Sequence, residues 1–265
     1  MKLYKSLLLV GTSLLQFSCN EYQKLLKDED TAKVFSVSQD YYKQENYKKA
    51  ISLLGVVIPK YRGRPEAERA LFFEADSYYQ LGDFVTSGYK MSRFYAAFPN
   101  SSKSAEAQFK AAKSVFELSA NSSLDQKETQ SALEKLQEFI QENPESTFVS
   151  EANECIAKLQ YKLDEKYYNI AKRYHHREMY KAAITAFSNY MINYPGSSFN
   201  EKALYYKQES AYLLAINSFE NLTKERLMVA QEYNNSYLEN AIDQELKKKA
   251  EEISDDLFKR ISYLN

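Results

Sequence analysis

Small and aromatic residues recur along this chain in steps of three and four. Tyr167, Ala171 and Tyr174 stand four and three apart, and Tyr180, Ala183, Phe187 and Tyr190 follow at three, four and three. Such steps put every member on one stripe of an α-helix, so two stripes in succession predict a pair of helices packed face to face. Upstream, Leu71, Ala75 and Tyr78 lead through Gly82-Asp83-Phe84 to Ser87, Met91 and Phe94. Tyr41, Tyr47, Ala50, Leu54 and Val57 form an earlier copy, and Ala132, Leu136 and Phe139 form the second half of another. Between the pairs stand Pro99 to Ala107, Pro144 to Ala152 and Pro195 to Ala203, each with a Ser two residues after the Pro and an Ala eight after it. A Pro, then a Ser cap, then helix formers reads as one helix ending and the next beginning.

Degenerate copies of the same punctuation begin at Arg62 and Tyr233, giving spacings of 37, 45, 51 and 38 residues. These lie at or above the 34 residues of a tetratricopeptide repeat. Counted back from Pro195 as repeat position 32, the seven residues from Tyr167 to Tyr190 fall on positions 4, 8, 11, 17, 20, 24 and 27, the positions that lock helix A on helix B. The expected fold is therefore all-α, a tetratricopeptide-repeat superhelix of about five helix pairs. The repeats are placed at residues 34–67, 68–101, 105–146, 148–197 and 200–263 within a solenoid covering 34–265. Residues 121–129 read as a polar insertion between two helices. Ala157 and Ala171 are 14 residues apart, close to four turns, which predicts one long helix from Phe148 to His176. Past Ala215 the pattern loosens, and Phe219–Tyr233 and Leu238–Tyr263 are expected as two closing helices. The second is rich in Lys and Glu, as a solenoid cap requires.

Composition agrees. Six Gly in 265 residues is about 2%, against a usual figure near 7%. Sheets need glycine in tight turns and phosphate loops need it to approach a ligand, so both are disfavoured. The 23 Tyr and 15 Phe are expected mostly in the wedge between helices. Thirty-five basic residues against 36 acidic leave a net charge of −1 with no basic stripe, which excludes nucleic acid as the expected partner.

Residues 1–18 read as a secretory signal, with Lys2 and Lys5 ahead of a short apolar run. Ser18-Cys19-Asn20 follows at once and resembles the signal of bacterial lipoproteins, in which the cysteine is acylated and becomes the first mature residue. That family usually has Leu three positions before the cysteine; here Gln16 stands there and Leu15 one position earlier. Cys19 is thus the expected lipid attachment, residues 19–33 the tether, and the lipid, palmitate included, the only added group, with no other cofactor. One chain anchors only marginally, so attachment implies more than one. Cys155 is expected as a small core residue.

No catalytic constellation is present in the sequence. His175 and His176 are adjacent, so their side chains point about 100° apart and cannot hold one metal; they are expected as surface imidazoles. Asp30-Thr31-Ala32 resembles a short O-glycosylation motif. What remains is the face lined by the A helices. It is expected to carry Phe35, Gln39, Tyr42 and Lys43, then Arg69, Phe72, Asp76, Tyr79 and Gln80, then Phe109, Lys113 and Phe116. A mixed aromatic and polar groove suits an extended peptide.

The signal, an acylatable cysteine near residue 20 and four to five such repeats together resemble the BamD family of lipoproteins. The likeness is sharpest at Ile170-Ala171, Tyr174, Tyr180-Lys-Ala-Ala183 and Tyr194-Pro195-Gly196-Ser197. The resemblance implies a non-enzymatic scaffold tethered to the outer membrane and facing the periplasm, part of the machine that assembles outer-membrane β-barrels. It implies as partners a BamA-like barrel protein docked on the carboxy-terminal repeats, other lipoproteins of that machine, and unfolded outer-membrane proteins received by the amino-terminal repeats. Two other classes share these repeats. Coordinators of peptidoglycan or cell division often add an amino-terminal coiled coil, which Asn20–Lys33 is too short to supply. Glycan-binding lipoproteins of the SusD type are much longer and favour Trp, of which this chain has none.

Overall fold

A computed structural model of the protein describes residues 22–264. The expected signal segment, residues 1–18, and Cys19 lie outside the described residues. After a helical turn at residues 22–25 come eleven long helices, and the described residues contain no strand. They are α1 (Thr31–Lys43), α2 (Tyr47–Lys60), α3 (Glu66–Gln80), α4 (Phe84–Ala97), α5 (Ser104–Leu118), α6 (Lys127–Glu142), α7 (Val149–His176), α8 (Tyr180–Asn193), α9 (Asn200–Ile216), α10 (Glu220–Asn240) and α11 (Gln244–Ser262). Contacts gather them into two compact units. The first holds residues up to 120 with 126–159, and the second holds 121–125 with residues from 160 on.

In the first unit each helix packs on the next, and α1 also meets α3 as α3 meets α5. That second set of contacts aligns the first helices of successive pairs, which is the tetratricopeptide arrangement. Small residues set the approach: Ala50, Ala70, Ala75, Ala107 and Ala132 are fully buried. Aromatic and branched side chains fill the space they leave, as Phe72, Met91 and Phe94 do around Ala75 and Ala107. Ser87 holds a small position too, and its hydroxyl donates to the Ala75 carbonyl at 3.1 Å. Cys155 is buried with Phe139, Ala152 and Leu159, and burial pushes its thiol pKa up, so it behaves as the expected small core residue.

In the second unit Tyr168, Ala171, Ala183, Phe187, Tyr190 and Ala203 form one core, and Ala211, Ala215, Leu227, Ala230 and Leu257 another. Helix α9 packs on α8, α10 and α11. The Tyr190 hydroxyl donates to the buried Asp164 carboxylate and lies 2.5 Å from Ser197 Oγ.

The repeat punctuation is visible bond by bond. The N–H groups of Ser101, Ser146 and Ser197 donate to Phe98, Asn143 and Tyr194 carbonyls at 3.0, 3.0 and 3.1 Å. Their own carbonyls accept from Ser104, Val149 and Asn200 at 3.0, 3.1 and 3.2 Å. Each hydroxyl accepts from the N–H two residues on, at 3.0, 3.3 and 2.9 Å. The serine therefore closes a turn ahead of the helix and is not its cap, because the chain needs one more turn after the proline before it can re-enter a helix.

Three expectations need correction. The long helix α7 runs within a residue of its expected bounds, but Ala157 is exposed. Its first half buries Ala152, Cys155 and Leu159 and its second half Asp164, Tyr168 and Ala171, so a position counted from one half misplaces the residue in the other. The closing helices break at 241–243 and not before Leu238. There the N–H groups of Ile242 and Asp243 donate to Glu201 Oε1 at 2.7 and 2.6 Å, and the Asp243 carboxylate caps α11 by accepting from Glu245 and Leu246. Among the described tyrosines, Tyr61, Tyr168, Tyr190, Tyr205 and Tyr237 are buried, whereas most others are half-buried. A ring gains by packing, but its hydroxyl needs water or a carboxylate, which keeps it at the edge of the wedge.

Two glycines separate local propensity from close approach. Gly55 lies in α2 with open space where a Cβ would stand, whereas a Cβ on Gly88 in α4 would come 3.2 Å from Ser114 Cβ in α5. Gly55→Ala is expected to stabilise the fold by about 0.5–1 kcal/mol. Gly88→Val is expected to destabilise it by about 1–3 kcal/mol. Urea unfolding followed by circular dichroism reads both, and the same sign for the two would contradict the close approach.

Candidate recognition face

In the first unit α1, α3 and α5 present residues 34 apart to one another. The Tyr42 hydroxyl donates to Asp76 Oδ2 and Lys110 Nζ to Asp76 Oδ1, each across a sequence separation of 34. Asp76 is 1% exposed, and its carboxylate meets a half-buried hydroxyl on one side and a half-buried ammonium on the other. Gln80 Nε2 adds a weaker approach at 3.4 Å. Lys110 also reaches Glu106 Oε1 at 2.7 Å, and Lys103 holds the other Glu106 oxygen at 2.7 Å. Burial alone would lower the Lys110 pKa, but the bonds to Asp76 and Glu106 outweigh it and raise it. Burial would likewise raise Glu106, and its two lysines hold it below the usual carboxylate range. Burial, with the bond to Asp76 adding to it, pushes the Tyr42 phenol far above its usual value.

Around this node the aromatic residues pack at an angle, with the Tyr42 ring tilted at 4.8 Å from Phe73 and Tyr79 edge to face at 5.5 Å from Phe84. Lys110 Nζ lies 5.7 Å from the rings of both Phe72 and Tyr79, within cation–π reach. Lys113 pairs with Glu151 and stands 5.8 Å from the Phe109 ring.

The sequence-expected groove residues divide by depth. Phe35, Phe72 and Phe109 are buried in the three packing clusters of this unit, and Asp76 is buried in the charged node. Gln39, Tyr42, Tyr79, Lys113 and Phe116 are half-buried, and Lys43, Arg69 and Gln80 are exposed. The Gln39 amide nitrogen is buried with no hydrogen-bond partner among the described residues. Lys110, Glu106 and Glu151 belong to this face and were missed. The interval of 34 from Tyr42 to Asp76 to Lys110 was the available signal.

The second unit carries a trough that the sequence reading did not contain. Three adjoining hollows of about 650, 530 and 710 Å³ run along α7 and α8. Asn193 and Tyr194 border the first and second, Ala186 and Asn189 the second and third. Tyr161, Tyr167, Tyr174 and Tyr180 line the walls.

His175 is corrected as well. Its side chain is only 10% exposed, with Nδ1 2.9 Å from Ser210 Oγ and Nε2 3.1 Å from Glu209 Oε2, so it joins α7 to α9. Adjacent helical positions differ in direction, and this one points at the next pair while His176 is exposed. Among the described residues no group of three metal-ligating side chains converges.

Stacked helix pairs with a fixed charged row, flanked by reachable aromatic and amide groups, make a helical-repeat scaffold of the kind that binds other proteins. This chain belongs to the YfiO family of outer membrane lipoproteins, of the BamD type, whose family model matches residues 27–227. A comparison with curated proteins finds no match. No described helix is long and apolar enough to cross a membrane.

Glu209 offers a test of the second unit. Burial would raise its pKa, but bonds from His175 and from Tyr205, the latter at 2.9 Å, hold it below the usual value. A depressed carboxylate stabilises the fold above its unfolded pKa, and that share is lost as pH falls through the folded value. Glu209→Gln is expected to cost about 1–3 kcal/mol near pH 7. Below pH about 4 the gap between variant and parent should begin to close, and it should vanish once the folded carboxylate is protonated, as read by urea midpoints across pH.

Proposed function

We propose that this chain is a periplasm-facing scaffold of the outer-membrane β-barrel assembly complex, anchored by acyl chains on Cys19. The observation that carries the reading is the match of residues 27–227 to an outer membrane lipoprotein family on a helical-repeat fold. In this reading no covalent step belongs to the chain. Its work is to hold partners in register, and the lipid is its only added group.

Each unit receives one role. The first offers unfolded outer-membrane proteins a row of half-buried aromatic rings and the exposed Arg69 and Gln80. An extended chain carries unpaired backbone N–H and C=O groups along its length, and such side chains can satisfy them while the rings take apolar residues. The second unit offers its trough to a BamA-like barrel protein. Asn189 and Asn193 lie one helical turn apart on α8, a rise of about 6 Å, close to the repeat of two residues in an extended strand. Other lipoproteins of the complex are expected to join through this chain.

Affinity capture on the chain from detergent-solubilised envelopes is expected to recover a BamA-like barrel protein. Replacing Tyr167 and Asn189 by Ala should reduce that recovery about tenfold or more, as loss of two central contacts does. Recovery of peptidoglycan factors alone, or of a glycan-uptake porin alone, would overturn the reading.

A further inference from the structure

The first described residues are already part of a packed core. Tyr22, Leu25 and Leu26 lie against the first-repeat cluster, and the Tyr22 ring meets Tyr41 edge-on at 5.9 Å. Cys19 is three residues from Tyr22, and an extended chain gains at most about 3.6 Å per residue. A bilayer entered at Cys19 therefore lies within about 11 Å of Tyr22, comparable to the Debye length at physiological salt.

The surface at that end is basic. The end of α2 folds back on the start of α1: Lys60 Nζ donates to the Asp28 carbonyl and the Tyr61 hydroxyl to the Thr31 carbonyl, both at 3.4 Å. Beyond Tyr61 the chain turns through Gly63 at φ +78°, and Arg64 N–H donates to the Tyr61 carbonyl at 2.9 Å. Arg62 and Arg64 thus flank a fixed turn that follows Lys60 and Tyr61, while Lys24 and Lys27 belong to the turn that leads into Asp28. All five cations are exposed, and none has a carboxylate within ion-pair distance among the described residues. Two of the nearby acids are committed elsewhere. Asp28 holds Lys33 at 2.8 Å, and Asp30 caps α1 by accepting from Lys33 N–H at 3.1 Å. With Lys33 counted, six cations stand among four carboxylates at this end, Asp28, Glu29, Asp30 and Glu66, which leaves it basic by two charges.

We propose that this end of the first repeat binds the phosphate groups of an anionic lipid surface and so fixes how the first unit stands on the membrane. The proposal rests on acylation of Cys19, which brings the patch to the surface. Acyl chains hold a protein at a bilayer but leave it free to swivel on the tether. A cluster of cations resting on that surface removes that freedom, because each near-surface Lys or Arg is worth about fivefold in partitioning.

The test uses the whole mature chain carrying Cys19→Ser, so that no acyl chain contributes. Flotation is measured with phosphatidylcholine vesicles and with vesicles that also contain phosphatidylglycerol, at low and at high salt. The chain is expected to float with the anionic vesicles only, and to be released by salt. Arg62→Gln with Arg64→Gln should lower partitioning about 25-fold. Lys248→Gln with Lys259→Gln, an equal loss of exposed charge in α11, should leave it unchanged. No flotation, equal flotation on both vesicles, a double variant at 62 and 64 that floats like its parent, or an equal loss in the α11 variant would overturn the proposal. The intact mass of the wild-type chain from membranes reports acylation separately. An unmodified Cys19 would sink the anchor and leave the vesicle result to be judged by itself.

Discussion

Among the described helices, residues no larger than alanine or serine are buried where successive helices pack. Ala50, Ala75, Ser87, Ala107 and Ala132 are such residues in the first unit, and Ala171, Ala183 and Ala203 in the second. A bulkier side chain at any of these places would force the axes apart and empty the contacts that Leu, Met and Phe make beside it. Because the small residue sits on the same stripe as the aromatics, the stripe cannot be buried by one pair alone, and each pair needs the next. The low glycine content fits the same design, since the turns at Ser101, Ser146, Ser197 and Asp243 are closed by side-chain oxygens.

Regular approach has a second consequence. Once successive first helices align, residues 34 apart become neighbours, and Tyr42, Asp76 and Lys110 join into one hydrogen-bonded row. Buried charge of this kind is weak evidence for extra stability, because the attraction mainly offsets desolvation. What it does supply is direction. The row fixes which way Tyr42 and Lys110 stand, and a surface set in advance loses less entropy when a partner arrives. The outer membrane lipoprotein family to which the chain belongs is of a scaffold kind, and a rigid face of mixed rings and amides is consistent with that role.

Much of this was legible in the residues, for identifiable reasons. Pairing and the 28-residue helix α7 follow from periodicity, which a helix enforces over its whole length, whereas the expected serine caps proved to close turns ahead of their helices. Depth was less legible. Phe35, Phe72 and Phe109 occupy groove-facing repeat positions yet are covered, because depth depends on what neighbours place above a residue. Ala157 failed for a related reason, since a helix that serves two cores changes its buried stripe part-way along. The trough of the second unit left no trace, because a hollow is made by where side chains are missing across two helices. The bonds that join Asp76 to Lys110 were hidden in plain numbers, as an acid and a base one repeat apart.

The central claim is that the 34-residue register brings α1, α3 and α5 together through Asp76. A double-mutant cycle tests it most directly, with Asp76→Asn, Lys110→Met and the pair compared by urea unfolding. The account predicts a coupling of about 1.5–3 kcal/mol, as expected for a charged hydrogen bond shielded from water. Additive effects, with coupling near zero, would contradict it.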